Sequence, residues 1–265
     1  MHPSVSIIIP VYNAQAFINR CLQAVCGQTF SDIEVILVND GSRDDTLAIC
    51  EKWAQSDWRV RVISQENGGP GCARNAALNM ARGDYIQFVD ADDIVLSHAT
   101  EDLFAAADGS DLVIARFILC MRNMEKERGL VRETTMCSRA DFLEKLMTYP
   151  GSFYYSALWN KLYKRSIIVE NGLRFSETLP WGEDFTFNMD YYRYVSSVHY
   201  LQKPVYKYYW TTSGQTWRTL FGLPRNIRIK WSMYQRFKRI YTCEGTYRQN
   251  RFTIDRYLFN VTLFD

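Results

Sequence analysis

The sequence predicts an α/β protein whose mainly parallel sheet is covered by helices. Short apolar runs rich in β-branched residues alternate with amphipathic stretches through roughly the first 90 residues, and polar turn residues separate the two. No apolar run approaches the ~20 residues that span a bilayer. Strands that alternate with helices form parallel sheets, and such sheets bind ligands beyond the carboxyl ends of their strands.

The predicted elements follow in order along the chain. Val5–Pro10 is a β-branched run that a proline ends, and Ala16–Val25 has apolar residues at helical spacing. Glu34–Val38 is the second predicted strand. Ser42 followed by Asp45 resembles a capping box and predicts a helix from there to about position 54.

The same alternation then repeats and fades. A strand, a helix and a strand are predicted at Val60–Ser64, Cys72–Ala81 and Tyr85–Val89. Beyond about residue 116 the charged stretch Met121–Thr135 predicts an exposed loop or hairpin, and Ser138 is expected to cap a helix.

Composition bounds the function. The 265 residues are 47% hydrophobic and 23% charged, which suffices for one sizeable core or one core with a smaller C-terminal extension. A net charge of +2 is too small to indicate a nucleic-acid-binding protein. The N-terminus lacks the features of a signal peptide, so we expect a cytoplasmic protein. The seven cysteines are scattered, as is typical of buried reduced thiols.

Two carboxylates one residue apart follow the last of these strands, in Asp90-Ala91-Asp92. They can converge on one hard cation, Mn²⁺ or Mg²⁺, while a diphosphate completes its coordination shell. The cation would make a nucleotide diphosphate a better leaving group. Asp-x-Asp also occurs where it only caps the next helix, so the motif alone leaves both interpretations open.

Three further segments end or follow strands and suit a nucleotide. Asp40 could accept a hydrogen bond from the N–H of a base such as uracil, although Asp-Gly-Ser is also a common turn. Pro10-Val11-Tyr12-Asn13 carries an aromatic ring that could face the base. Arg74 opens the helix after a Gly-rich loop, where guanidinium and helix amides could bind phosphate.

Adjacent carboxylates also occur far downstream, at Glu183 and Asp184. Neighbouring side chains project differently, so one could act as a general base while the other caps the helix that starts there. Both could equally be caps.

Taken together, these segments resemble the family-2 glycosyltransferases over about residues 4–215. The match consists of Ser6-Ile7-Ile8-Ile9-Pro10-Val11-Tyr12-Asn13, Gln28-Thr29-Phe30, Val38-Asn39-Asp40-Gly41-Ser42, Gly69-Pro70-Gly71 with Ala73-Arg74-Asn75, Asp90-Ala91-Asp92-Asp93 and Gly182-Glu183-Asp184, in that order. The resemblance implies a GT-A type, Rossmann-like fold, a divalent metal and single-displacement inversion. Asn39 departs from the family pattern, which often has an aspartate there.

The resemblance also implies roles for individual residues. Asp40 would recognise the base, Arg74 would contact nucleotide or phosphate, and Asp90 and Asp92 would be the Asp-x-Asp pair, with Asp92 the metal ligand. Asp184 would take the proton from the acceptor hydroxyl, with Glu183 the second candidate.

Two acceptor contacts are weaker expectations. Lys161, in Trp159-Asn160-Lys161-Leu162, is expected to line the cleft, although this segment could be ordinary packing. Trp181 could stack on an acceptor sugar or pack in the core.

The last segment is basic and aromatic, and we expect a helical extension over 216–265 after a glycosyltransferase domain over 1–215. That domain would divide into a nucleotide-binding half, about 1–116, and an acceptor half, about 117–215. The extension is either a solvated helix or an interfacial one that turns Trp231, Tyr234, Phe237 and Tyr241 towards lipid and its cations towards anionic head groups.

The sequence therefore predicts a metal-dependent inverting glycosyltransferase. Its donor would be a nucleotide sugar, and the resemblance to the family favours a UDP-sugar. Its acceptor would be a saccharide, either free or linked to polyprenyl diphosphate. The reaction would belong to surface polysaccharide synthesis on the inner face of the cytoplasmic membrane. Two alternatives are a non-catalytic sugar-nucleotide-binding scaffold, which would not need Asp184, and a sugar-nucleotide pyrophosphorylase. The latter should carry a Gly-rich loop after the first strand, where this chain has Val11-Tyr12-Asn13-Ala14.

Overall fold

The structure is a computed structural model that describes residues 2–122, 124–210 and 223–260, with the side chains of the last range described over 228–257. Its first part alternates strands and helices: β1 Val5–Val11, α1 Ile18–Cys26, β2 Ile33–Asp40, α2 Thr46–Ser56, β3 Val60–Gln65, α3 Pro70–Met80 and β4 Tyr85–Phe88. Every element predicted for this part is present, with ends that differ by a few residues.

The second part is less regular. It contains β5 Ile94–Val95, α4 Ala99–Ala107, β6 Leu112–Met121, β7 Met124–Arg128, β8 Thr135–Ser138, α5 Arg139–Thr148, α6 Phe153–Ser156, β9 Lys161–Lys164, α7 Arg165–Glu170, α8 Glu183–Tyr192 and β10 Ser197–Tyr209. The helices α9 Leu223–Cys243 and α10 Tyr247–Asn260 follow. Met121–Thr135 was expected to be an exposed loop or hairpin; its first part contains the mostly exposed β7, which pairs antiparallel with the preceding strand β6.

The described strands form one sheet in the order β3-β2-β1-β4-β9-β6-β10-β5, with β7 beside β6 and β8 beside β10. The pairs among β1, β2, β3 and β4 are all parallel, as the alternation predicts. β9 instead runs antiparallel to both β4 and β6. It has only four residues and follows a helix of only four, so it is no part of a strand-helix-strand repeat.

Helices cover both faces of the sheet, which confirms the predicted fold class. Along β1 the side chains alternate between two apolar clusters: Ile8 belongs to one, and Ile7 and Ile9 belong to the other. Both clusters consist of buried residues, as expected for a strand with no solvent-facing side. Four of the seven free cysteines are buried, whereas Cys243 is exposed on α9.

One predicted helix cap is confirmed and another is wrong. The Ser138 side chain accepts a hydrogen bond from the Asp141 backbone N–H at the start of α5. Ser42 does not cap α2, which begins only at Thr46. Its hydroxyl instead accepts the backbone N–H of Asn13 at 3.0 Å, because the turns after β1 and β2 lie side by side.

The C-terminal helices belong to the main core. Phe237, Tyr241 and Tyr234 were expected to face lipid, but they are at most 5% exposed and lie in the cluster that also contains α8. Tyr241 also donates a hydrogen bond to the Leu143 carbonyl of α5. That interfacial arrangement is therefore wrong, since only Trp231 of the four aromatic residues is exposed. Among the described residues, no helix combines the length and apolarity needed to cross a membrane.

Candidate active site

The Asp-x-Asp turn lies at the carboxyl edge of the parallel strands, directly after β4. The Asp90 backbone N–H donates to the Tyr206 hydroxyl at 3.0 Å. On the other side, an Arg20 amino group donates to the Asp92 carbonyl at 2.6 Å, and the Arg20 guanidinium lies 4.6 Å from the centre of the Tyr209 ring. Two elements distant in sequence, α1 and β10, thus hold the turn in place.

Arg74 connects this turn to the downstream carboxylates. Its Nη2 atom lies 2.9 Å from Asp90 Oδ1, while its Nη1 atom lies 2.8 Å from Asp184 Oδ1 and 3.2 Å from Glu183 Oε1. The Arg74 side chain is only 5% exposed, so water screens these charges weakly. Three carboxylates from two widely separated motifs therefore converge on one guanidinium.

Local backbone geometry places Arg74 at this point. Gly69 precedes α3 with a φ of +87°, which favours glycine, and Pro70 begins the helix. A Cβ added to Gly71 would lie 2.7 Å from the Ser176 carbonyl oxygen, so the chain can approach only a glycine this closely. As a result, the first turn of α3 lies deep in the site with Arg74 turned towards the carboxylates.

The environment of Asp184 favours its neutral form. Burial raises the pKa of Asp184 to about 8; Arg74 opposes this shift, and the charges of Glu183 and Asp90 add to it. The residue lies in the first turn of α8, where the helix dipole favours a negative charge. A carboxylate with such a pKa can accept a proton near neutral pH.

Asp40 organises the Gly-rich loop. Its carboxylate accepts hydrogen bonds from the backbone N–H groups of Gly68 and Gly69, at 2.9 and 2.8 Å, and from the Gln65 side chain at 2.8 Å. The Asn67 side chain donates to the Asp40 carbonyl. Asp40 is only 3% exposed, so the loop closes over it.

The turn after β1 lies beside the turn after β2. Tyr12 is exposed and Val11 is buried, so of this pair only the tyrosine side chain is open to a ligand. Asn13 has a φ of +47°, and its side-chain oxygen accepts the backbone N–H of Arg43. Pro10 is half-buried, and Ala91 of the Asp-x-Asp turn is buried.

The two weaker acceptor predictions have different outcomes. Lys161 has no exposed surface, and its ammonium group donates to oxygen atoms of its own segment, so the prediction that it lines the cleft is wrong. The physical reason is that β9 is an inner strand between β4 and β6. Trp181 is half-buried and packs against the main core cluster; its contact with an acceptor stays a prediction.

Sequence reasoning missed the residues that support the turn. Arg20, Tyr206 and Tyr209 belong to no recognisable motif, and their contribution depends on β10 ending beside the Asp-x-Asp turn. Asp93 was noted only as part of the matched segment. It is buried and accepts the Tyr209 backbone N–H at 2.9 Å; burial and the charges of Asp92 and Asp90 raise its pKa well above the ordinary value. Only the run of acidic residues hinted at its role.

The model of the family described as glycosyl transferase family 2 matches residues 6–170. The chain belongs to this family. Among curated relatives, the glycosyltransferase EpsJ of Bacillus subtilis is 35% identical over 211 residues, which cover 78% of this chain and 61% of EpsJ. The chondroitin synthase of Escherichia coli is 35% identical over 184 residues, covering 68% of this chain and 27% of that protein. This family-2 chain thus spans about three fifths of the length of EpsJ.

A solved structure has a similar fold. Residues 1–349 of TarS from Staphylococcus aureus, in complex with UDP-GlcNAc, superpose with a TM-score of 0.72 at 27% identity, covering 90% of this chain and 66% of that one. The family-2 fold deduced from the sequence is therefore confirmed.

Proposed function

We propose that the protein is a metal-dependent inverting glycosyltransferase that moves a sugar from a UDP-sugar to a hydroxyl group of a glycan or lipid-linked saccharide, in surface polysaccharide synthesis. One observation carries the proposal: the Arg74 guanidinium contacts both Asp90 of the Asp-x-Asp turn and Asp184 of α8. A donor-binding carboxylate and a candidate base therefore share one site, which a scaffold that only binds a nucleotide would not need.

Asp184 is assigned the role of general base. It would take the proton from the acceptor hydroxyl as that oxygen attacks the anomeric carbon opposite the leaving diphosphate, and one displacement inverts the centre. The raised pKa of Asp184 suits proton transfer near neutral pH. Glu183 is also bound by Arg74 and would hold the guanidinium in place.

Asp92 and Asp90 are assigned to a divalent cation. Their carboxylate oxygens are ligands that Mn²⁺ and Mg²⁺ accept. The Asp92 side chain is exposed, and Asp90 binds Arg74 through Oδ1. Among the described residues, no group of three or more His, Cys, Asp or Glu side chains is arranged to hold a metal. Asp92 and Asp90 would hold the cation together with oxygen atoms of the donor diphosphate. When bound, the cation would stabilise the charge on the departing diphosphate.

The donor and acceptor classes rest on the relatives. TarS was solved with UDP-GlcNAc, and another relative is named a chondroitin synthase, so a UDP-sugar and a polysaccharide product are the classes we assign. Tyr12, exposed beside the Asp40 loop, would lie against the base, as a base stacks on an aromatic ring.

Calorimetric titration tests the proposal directly. The protein is titrated with UDP, GDP and dTDP, each with Mn²⁺ and again with EDTA. We expect UDP to bind in the presence of Mn²⁺ and to bind much more weakly in EDTA. Binding of none of the three nucleotides would overturn the proposed site, and metal-independent binding would overturn the role of Asp90 and Asp92.

A further inference from the structure

A cluster of buried polar side chains lies behind α8 and has no part in the proposed mechanism. Asn160, Lys161 and Asn188 are all 0% exposed. Burying a polar group is unfavourable unless hydrogen bonds replace its contacts with water, and burying a charge is more so. A lysine at such a position therefore needs a full set of hydrogen-bond acceptors around its ammonium group.

The Lys161 ammonium is fully hydrogen-bonded. Its Nζ atom lies 2.8 Å from the Tyr154 carbonyl oxygen, 2.6 Å from that of Ala157 and 2.7 Å from Asn160 Oδ1. A protonated lysine has three N–H donors. Burial lowers the pKa of Lys161 well below its ordinary value, and the nearby Asp184 carboxylate opposes this shift. The three oxygen acceptors match the three N–H donors of the charged form.

Asn188 binds the same segment from α8. Its Nδ2 atom donates to the Ala157 carbonyl at 3.1 Å and to that of Ser156 at 2.8 Å, while its Oδ1 atom accepts the Tyr163 hydroxyl at 2.7 Å. Residues four apart in a helix lie on the same face, so Asn188 stands one turn behind Asp184. The Ala157 carbonyl therefore joins the start of β9 to the helix that carries the candidate base.

Trp159, two residues before Lys161, reaches the other side of the site. The buried Trp159 ring stacks on Tyr206 with 4.8 Å between ring centres and 8° between planes. The Tyr206 hydroxyl accepts the Asp90 N–H. Three consecutive residues, Trp159, Asn160 and Lys161, thus support both the Asp-x-Asp turn and α8.

We propose that Lys161 is a positioning residue for Asp184, since its ammonium group fixes the Ala157 carbonyl that holds α8 through Asn188. This inference rests on the proposed function, because it takes Asp184 as the base. A base displaced by about 1 Å costs on the order of 100-fold in rate without a matching loss of binding, so the expected defect lies in kcat.

The test compares Lys161→Met with a control that loses buried hydrogen bonds elsewhere. Ser6→Ala suits this purpose, because the buried Ser6 hydroxyl donates to Glu34 and accepts from the Gly83 backbone N–H. Ser6 lies at the amino end of β1, whereas the candidate site lies at the carboxyl ends of the parallel strands. Both variants, the unsubstituted protein and Asp184→Asn are assayed with UDP-GlcNAc and Mn²⁺ for UDP release. UDP affinity, donor KM and Tm are measured on the same samples.

We expect Lys161→Met to lower kcat at least about 50-fold while donor KM and UDP affinity change less than about threefold. Ser6→Ala should lose a comparable amount of Tm and keep kcat within about threefold. A crystal structure of Lys161→Met with UDP and Mn²⁺ should lack the contact between Arg74 and Asp184. Lys161→Gln, which keeps two donors without the charge, replaces Lys161→Met if the latter does not fold.

The outcomes separate the two proposals. If Asp184→Asn is inactive while Lys161→Met retains kcat and the Arg74 contact, only the positioning role falls. A fall in UDP affinity that matches the fall in kcat would also overturn it. Failure of the unsubstituted protein to bind UDP would overturn the proposed function and the positioning role with it. If UDP binds but UDP-GlcNAc is not turned over, the crystal structure decides.

Discussion

Arg74 and Asp184 are 110 residues apart in the chain, yet Nη1 of Arg74 lies 2.8 Å from Oδ1 of Asp184. The same guanidinium lies 2.9 Å from Asp90. Because Arg74 belongs to α3 and Asp184 to α8, this contact joins the parallel part of the sheet to the later, mixed part.

Replacing the candidate base should separate chemistry from binding. In Asp184→Asn, kcat should fall by about 10²–10⁴, the usual contribution of a general base, while UDP affinity changes less than about threefold. UDP release and calorimetry measure the two quantities. Asp190→Asn is the control, because Asp190 lies on the same helix but pairs with Arg236. A loss of UDP affinity as large as the loss of kcat would contradict the assignment.

Replacing the candidate metal ligand should have the opposite effect. Asp92→Ala should weaken UDP binding at least about tenfold with Mn²⁺ and leave the weak binding in EDTA unchanged, because only the metal-dependent part uses that carboxylate. Titrations with and without EDTA measure this. Asp84→Asn serves as the control, because Asp84 is exposed and lies at the amino end of β4, whereas Asp92 follows its carboxyl end. Equal weakening in both conditions would argue against a metal role for Asp92.

The rate should rise with pH across the neutral range. Burial raises the pKa of Asp184 to about 8 despite the opposing charge of Arg74. A general base must be ionised, so kcat should increase nearly tenfold per pH unit on the acid side and level off above about pH 8. UDP release between pH 5.5 and 9.5, on both sides of that pKa, gives the profile. A rate already constant from pH 5.5 upwards would show that no such group controls the step.

Removing the Arg74 guanidinium, which three carboxylates share, should lower the stability of the fold by an amount that depends on pH. Arg74→Met leaves Asp90, Glu183 and Asp184 without their common partner, and we expect a loss of about 3 kcal/mol in the free energy of unfolding at pH 9. The loss should be smaller at pH 5, because protonated carboxyl groups no longer repel one another. Urea unfolding at both pH values measures it. Arg174→Met, at an exposed position, should change stability little at either pH.

The loop after β3 should depend on the Asp40 carboxylate. Asp40→Asn would place an amide N–H among N–H donors from Gly68, Gly69 and Gln65, so the loop should open and UDP affinity should fall at least about tenfold. Calorimetry measures the affinity. Asn39→Asp is the control: the Asn39 amide donates to the Ser64 hydroxyl oxygen, and an aspartate there could instead accept the hydroxyl proton, so the contact survives with its direction reversed. Unchanged affinity in Asp40→Asn would remove Asp40 from the nucleotide site.

Much of the fold could be predicted because local periodicity and turn residues are properties of short segments. β1 to β4 and the helices between them follow from apolar runs and from the turn residues that separate those runs. β9 could not be predicted, because its four residues begin and end with lysine and its direction depends on neighbours far along the chain. The lipid-facing aromatic set was wrong for a related reason: a pattern of aromatic residues reveals a helical face but not what covers that face.

The sequence by itself determined the family, the parallel part of the sheet and the set of candidate residues, because each depends on residue types at short spacing. Only the tertiary structure decided which of those residues meet. It buried Lys161 beneath α8, closed the Gly-rich loop over Asp40 and brought Asp90, Glu183 and Asp184 to one guanidinium. Contacts across more than 100 residues depend on the packing of the whole sheet, and no local pattern records that packing.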